Sequence, residues 1–195
     1  LKLIIEQMRK LSTLILKWTG WTIDGEYPAD LKQCVMIEAP HTSNWDFVWG
    51  RLCFYSIGVR IRFLIKKEAF FFPFGPILKA MGGVPVDREK KSNKVMEVAG
   101  LFRKYPDLIL AITPEGTRKR NPHWKKGFYY IAQYAKVPIV LAYIDYQKRI
   151  GGLGPVFYPS GDYRADMEMI RNFYKDKTAR FPGQFALHQF PDEKS

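Results

Sequence analysis

The stretch Cys34-Val35-Met36-Ile37-Glu38-Ala39-Pro40-His41-Thr42-Ser43-Asn44-Trp45-Asp46-Phe47-Val48-Trp49 decides the fold class. Its apolar start, residues 34–37, reads as a buried strand. Pro40 ends the strand. Thr42, Ser43 and Asn44 supply helix N-cap chemistry. Residues 46–57 then read as a helix that Gly58 terminates. A strand whose carboxyl end opens into a helix start is where α/β proteins commonly place their chemistry. His41 and Asp46 both fall in that opening. Imidazole is suited to moving a proton near neutral pH, and a carboxylate can fix its tautomer and stabilise its cation. On one continuous helix, side chains five apart point about 140° from each other. The two meet only if His41 lies in the turn and Asp46 in the first helical turns. A His followed by Asp at this distance also arises by chance, and a His after a strand is often a hydrogen-bonded loop residue. The pair gains weight only from what surrounds it.

Upstream, residues 1–19 read as a helix with Leu3, Ile4, Met8, Leu11, Ile15 and Trp18 near one face. It serves either as a helix packed on the core or as an interfacial helix with Trp18 and Trp21 as anchors. Residues 21–26 read as a short strand. Downstream, residues 61–65 read as a strand and are followed by Lys66 and Lys67. Phe70, Phe71 and Phe72 then precede a Pro/Gly turn, as core filler or as an apolar surface patch. Residues 77–81 read as a helix. Gly82-Gly83-Val84-Pro85-Val86-Asp87-Arg88 combines a glycine turn, a short strand and an arginine. That arginine can fork onto a phosphate or pair with Asp87 or Glu89.

Residues 94–105 read as a helix and 108–112 as a buried strand. Thr113 to Lys126 is the densest polar stretch and again follows a strand's carboxyl end. Such a charge run is usually a solvated face. Here Pro114-Glu115-Gly116-Thr117 forms a tight turn able to hold Arg118 rigidly. Residues 127–136 read as a helix, 138–144 as a strand and 163–179 as a last helix. Gly151, Gly152 and Gly154 lack the strand–turn–helix context of a phosphate-binding fingerprint. Residues 180–195 read as an irregular, partly mobile tail.

Composition sets the outer limits. A chain of 195 residues is expected to form a single domain over residues 1–195. The net charge of +12 favours anionic partners: phosphorylated metabolites, acidic proteins, anionic lipid or nucleic acid. Cys34 and Cys53 stand in apolar sequence without metal-ligand spacing, which implies reduced core thiols, a reducing compartment and no metal site. No leader peptide, repeat or run of about 20 apolar residues is legible. A nucleic-acid-binding module would suit the charge and the 15% aromatic content. No helix-turn-helix, zinc or ribonucleoprotein motif supports it, and no nucleic-acid partner is expected.

Four segments stand in a fixed order: His41-Thr-Ser-Asn-Trp-Asp46, Gly82-Gly-Val-Pro-Val-Asp-Arg88, Glu115-Gly-Thr-Arg118 and Val137-Pro-Ile-Val140. Together they resemble the motifs of the glycerolipid acyltransferase family, in particular the 1-acylglycerol-3-phosphate acyltransferases. Pro40 stands where many members have Asn. Pro73-Phe74-Gly75 is a residue shorter than the usual Pro-x-x-Gly. Leu141 replaces a second Pro. The resemblance implies a mixed, largely parallel α/β sheet flanked by helices. It implies transfer of a fatty acyl group from coenzyme A or acyl carrier protein, as donor substrate and with no further cofactor, to lysophosphatidic acid or a related acceptor. In that scheme His41 is the general base and Asp46 its orienter. Arg88 and Arg118 bind the acceptor phosphate, with Lys66, Lys67 and Lys126 as helpers. Glu115 positions Arg118 or the glycerol, while Gly116 and Thr117 shape the turn. A peripheral location on the cytoplasmic face of the membrane follows, docked through the N-terminal helix, Trp18, Trp21 and the phenylalanine run.

Overall fold

The computed structural model describes residues 2–86 and 94–192, with side chains described from Glu6 onward. In chain order the elements are α1 (Lys2–Trp18), β1 (Thr22–Asp24), β2 (Cys34–Ala39), α2 (Asn44–Ser56), β3 (Ile61–Lys66), α3 (Phe74–Ala80), β4 (Gly83–Val86), α4 (Lys94–Lys104), β5 (Ile109–Ile112), α5 (Gly127–Ala135), β6 (Ile139–Asp145), β7 (Ile150–Phe157) and α6 (Tyr163–Tyr174). Short 3₁₀ turns add Lys67–Ala69 and Pro182–Gln184.

The strands form one seven-stranded sheet in the order β1-β7-β6-β2-β5-β3-β4. From β6 to β4 neighbours pair parallel; β7 runs antiparallel to β6, and β1 is parallel to β7. This is the mixed, mostly parallel α/β fold expected. The central strands are apolar on both faces because helices cover both. Val35, Ile37, Leu110, Ile139 and Leu141 pack with Phe102 of α4, Phe128 of α5 and Met167 of α6. Their alternating neighbours Cys34, Met36, Val140 and Ala142 pack with Phe54 of α2. Leu16 and Trp21 join Cys53 and Ile144 in a third cluster, which fastens α1 beside α2. Both thiols are free and buried.

Several expectations need correction. Residues 150–157 form a strand, although their glycines argue against one. Side chains crowd this strand: a Cβ on Gly151 would lie 2.4 Å from Cys53 Sγ, one on Gly152 2.5 Å from the Tyr143 ring, and one on Gly154 2.3 Å from Phe173. The glycines admit α2, β6 and α6. α3 starts earlier than expected because Pro76 falls in its first turn, where a missing N–H costs nothing. α6 stops at Tyr174, and the chain turns so that the Thr178 carbonyl accepts the Tyr146 N–H at 2.9 Å. The described part of the tail, residues 180–192, is irregular but docked. Ala179, Ala186, His188 and Phe190 are buried, and Trp124 Nε1 donates to the Ala186 carbonyl at 2.9 Å.

Trp21 is no surface anchor. It is buried and stacks on Trp49 with centroids 4.8 Å apart. Trp18 is 86% exposed and Phe72 87%. Leu11, Leu14, Phe71 and Phe74 are exposed as well.

Candidate active site

β5, β2 and β6 are adjacent and parallel. Their carboxyl ends therefore open at one edge of the sheet, each leading a different loop into the same place. β2 delivers His41, β5 delivers Glu115, and β6 delivers Tyr146. The chain leaves β2 into α2 on one face of the sheet and leaves β5 into α5 on the other, the arrangement in which open α/β sheets form a crevice.

Local helix chemistry places the first two polar groups. Ser43 is the N-cap of α2, and Asp46 is its third helical residue. A reciprocal capping box results: the Ser43 side chain accepts from the first turn, and the Asp46 carboxylate accepts from the Ser43 N–H. Asp46 Oδ2 takes the Thr42 and Ser43 N–H groups at 2.7 Å each. The same oxygen lies 3.4 Å from His41 Nδ1. Oδ1 takes the Tyr146 hydroxyl at 2.7 Å. Burial works to raise the Asp46 pKa, but the bonds from His41, Tyr146, Ser43 and Thr42 outweigh it and hold the carboxyl below its ordinary value. Asp46 is thus a carboxylate at neutral pH. A carboxylate facing Nδ1 favours the tautomer with its proton there, leaving Nε2 a lone pair to accept a proton from a substrate.

Glu115 does something different from what its sequence context suggests. It is fully buried, and its Oε1 accepts the His41 backbone N–H at 2.6 Å rather than engaging Arg118. Burial pushes its carboxyl up to about 8; the His41 N–H opposes the shift and the Asp46 charge adds to it. The neutral acid prevails at pH 7, which lowers the cost of burying it. Glu38, at the end of β2, is likewise pushed up by burial, to about 7, against the His41 and Arg51 charges.

The turn after Glu115 is tight. Gly116 has φ +67°, and a Cβ there would meet the Lys125 side chain at 2.6 Å. Thr117 Oγ1 accepts the Lys119 N–H at 3.2 Å, so it shapes the turn. Asn121 Nδ2 braces the Glu115 carbonyl at 2.8 Å. The Arg118 side chain is left exposed.

His41, Asp46 and Glu38 share a narrow cavity, about 30 Å³, with Ile23, Phe54, Ile57, Ala142, Ile144 and Leu153. Polar groups converge at one part of an otherwise apolar slot, the usual composition of a small-molecule site.

Two further contributors escape sequence reasoning. Tyr146 stands one residue past β6, and its polar hydroxyl at a strand's carboxyl end is the signal that flags it afterwards. The segment after α6 straps the site. Its Phe181 N–H donates to Thr42 Oγ1 at 3.3 Å. The Gln184 amide, turned with its nitrogen inward, donates to the Thr42 carbonyl at 3.2 Å and the Arg118 carbonyl at 2.9 Å. The Arg180 guanidinium lies 5.4 Å from the Trp45 ring centroid and 5.9 Å from that of Tyr146.

Lys66 and Lys67 are exposed at the carboxyl end of β3, on the same sheet edge as His41. Lys126 stands apart: its ammonium lies 4.7 Å from the Tyr163 ring centroid of α6. Arg88 lies outside the described residues.

Comparison with known proteins agrees with this architecture. A family model described as Acyltransferase matches residues 22–145, which include His41, Asp46 and the 115–118 turn. A 1-acyl-sn-glycerol-3-phosphate acyltransferase from Streptococcus pneumoniae is 30% identical over 142 residues, 68% of this chain and 51% of that protein. The chain thus spans about half the length of this curated relative. The crystal structure of the 1-acyl-sn-glycerophosphate (LPA) acyltransferase from Thermotoga maritima superposes with a TM-score of 0.63 at 16% identity, over 92% of this chain and 82% of that one. At that identity the likeness is one of fold. With the family match covering β1 to β6, more than half of the sequence, the chain belongs to the acyltransferase family.

Proposed function

We propose that this protein moves a fatty acyl group from an acyl thioester to the free hydroxyl of 1-acylglycerol 3-phosphate, giving phosphatidic acid. The observation that carries the reading is the His41 imidazole held by the Asp46 carboxylate beside an apolar slot, within an acyltransferase fold. His41 Nε2 removes the hydroxyl proton as the acceptor oxygen attacks the thioester carbonyl. Asp46 stabilises the imidazolium. The tetrahedral intermediate collapses, the C–S bond breaks, and the departing thiolate of coenzyme A or acyl carrier protein takes the proton back. Ile23, Phe54 and Leu153, which line the slot, present apolar surface to the acyl carbon nearest the thioester.

Arg118, with Arg88 from the neighbouring motif, binds the acceptor phosphate through charge-assisted bonds; Lys66 and Lys67 add charge at that edge. The curated relative's printed name supports the acceptor class. The protein works as a peripheral enzyme on the cytoplasmic face of a membrane, since both the acceptor and its product partition into bilayers. Leu11, Leu14, Trp18, Phe71 and Phe72 offer apolar contact. Among the described residues no helix is long and apolar enough to cross a membrane.

The test assays purified protein with radiolabelled acyl-CoA or acyl carrier protein against lysophosphatidic acid, glycerol 3-phosphate, a lysophospholipid and an amino-acid lipid. Preferred turnover of lysophosphatidic acid, lost in His41→Ala, supports the proposal. Preference for another acceptor reassigns the substrate, and no transfer to any acceptor overturns the activity.

A further inference from the structure

A second cavity lies at the sheet edge opposite the active site. Gly58 to Arg62 lead into β3 there, Gly82 precedes β4, and Asp107 precedes β5. At about 340 Å³ it is more than ten times the size of the catalytic slot. A water occupies about 30 Å³ in the liquid, so the cleft has room for a hydrated phosphate headgroup.

Its charge is one-sided. Arg51, Arg60 and Lys79 line it, while Arg62 and Asp107 stand 4.0 Å apart and offset one another. Arg51 is braced in place: its guanidinium lies 4.5 Å from the Tyr55 ring centroid and donates to the Tyr55 hydroxyl. Among the described residues, no carboxylate pairs with Arg60 or Lys79, and both side chains are exposed. The catalytic scheme uses none of these cations.

The setting points to the anion's source. Met8 of α1, Tyr55 of α2 and Ala80 of α3 all line the cleft, so three helices meet at it. The same helices leave large apolar side chains in solvent: Leu14 and Trp18 on α1, Trp45 and Phe47 on α2, Phe74 and Ile77 on α3. β2, which spans the sheet between the two edges, has six residues. At about 3.3 Å per residue the active site and the cleft are only about 20 Å apart along the strands, so one bilayer surface can reach both.

We propose that this cleft binds the headgroup phosphate of an anionic phospholipid, fixing how the α1–α2–α3 layer lies on the bilayer. The site rests on the peripheral-membrane reading above and is separate from the acceptor phosphate site at the opposite sheet edge. Trp18 and the exposed phenylalanines enter the apolar zone, while Arg51, Arg60 and Lys79 grip a headgroup. The orientation of the enzyme is thereby set at two points.

The experiment is flotation of the full chain with phosphatidylcholine vesicles, with and without phosphatidylglycerol. Wild type is expected to prefer the anionic vesicles. A basic residue near an anionic surface contributes about fivefold to partitioning, so Arg60→Gln with Lys79→Gln should lose about 25-fold of that preference. The double variant should keep its melting temperature and its turnover of a water-soluble, short-chain acceptor. Removing Lys136 and Lys175 as glutamines, at the carboxyl ends of α5 and α6, takes away equal charge and should cost much less. Equal losses in both pairs mean diffuse attraction and overturn the site. So does an undiminished anionic preference in the Arg60/Lys79 variant. If that variant instead loses transfer from acyl carrier protein, the cleft docks an acidic protein and the lipid assignment falls. Wild type that floats with both vesicles alike overturns this site alone; wild type that floats with neither overturns the membrane reading with it.

Discussion

The Tyr146 hydroxyl donates to Asp46 Oδ1 at 2.7 Å, across 100 residues of sequence. Asp46 is thereby held on both oxygens, by Tyr146 on one side and by the Thr42 and Ser43 amides on the other. The carboxylate cannot rotate away from His41 without breaking one set. Tyr146 is itself wedged against Trp21, with ring centroids 5.3 Å apart at 86°. Tyr146→Phe keeps that packing and removes the donor. A hydrogen bond to a charged group is worth about 1.5–3 kcal/mol, so kcat should fall by about 10-fold or more. The pH profile supplies a second reading. The depressed Asp46 pKa contributes stability that is present above the ordinary aspartate value and lost as pH falls through the folded value. Without the Tyr146 donor that folded value rises, so loss of stability on acidification should set in at higher pH than in wild type. An unshifted acid melting profile would assign Tyr146 to packing alone.

His41→Ala and Asp46→Asn should each reduce acyl transfer by about 10²–10⁴-fold with the fold intact by circular dichroism. The double variant should be little worse than His41→Ala, because the two act as one unit. Near-normal turnover in folded His41→Ala removes the mechanism.

Arg118→Ala and Arg88→Ala should raise the acceptor KM more than the donor KM, each by a contact worth about 1.5–3 kcal/mol. Initial rates with one substrate varied at a time decide this. Equal changes in both KM values would exclude these arginines from an acceptor-specific site.

Glu115→Gln tests a buried acid. Its folded pKa, about 8, lies above the ordinary glutamate value. The sign follows from linkage: the contribution is present in full below the unfolded pKa and lost as pH rises through the folded one. Wild-type melting temperature should therefore fall between about pH 5 and pH 8, with Glu38 adding to the slope. Glutamine retains an oxygen for the His41 N–H and cannot ionise, so Glu115→Gln should flatten the decline. An unchanged slope would mean the two buried carboxyls do not control it.

The two N-terminal tryptophans should behave differently. Trp18→Ser removes an exposed side chain and should weaken flotation with vesicles while leaving the melting curve in place. Trp21→Ser empties a stacked, buried site and should cost about 3–5 kcal/mol of stability, as large-to-small aromatic changes do. Parallel flotation and melting of both variants separate surface from core.

What was legible in the sequence is what periodicity and local chemistry encode. The apolar runs at 34–37, 108–112 and 138–144 mark buried parallel strands, and Ser43 with Asp46 marks a helix start. Those features alone put His41 and Asp46 within reach of each other. Nothing local marks residues 150–157 as a strand, because their glycines answer to Cys53, Tyr143 and Phe173, which are distant in sequence. Tyr146 and the strap are hidden for the same reason: each acts through long-range hydrogen bonds. Trp21 is ambiguous in the sequence because an aromatic beside an amphipathic helix looks the same whether it faces lipid or Trp49. Glu115 sits beside Arg118 in the chain, yet the parallel pairing of β5 with β2 turns it toward His41.

The strap alters where the functional unit ends. The family match closes at residue 145, one residue before the side chain that holds Asp46 and well before Phe181 and Gln184, which hold Thr42. The His41 loop is therefore held in part by segments that lie beyond the matched region. A hybrid joined at residue 145 would unite a His41 loop with a buttress adapted to some other loop. Its His41–Asp46 pair would then be aligned by a stranger's hydrogen bonds.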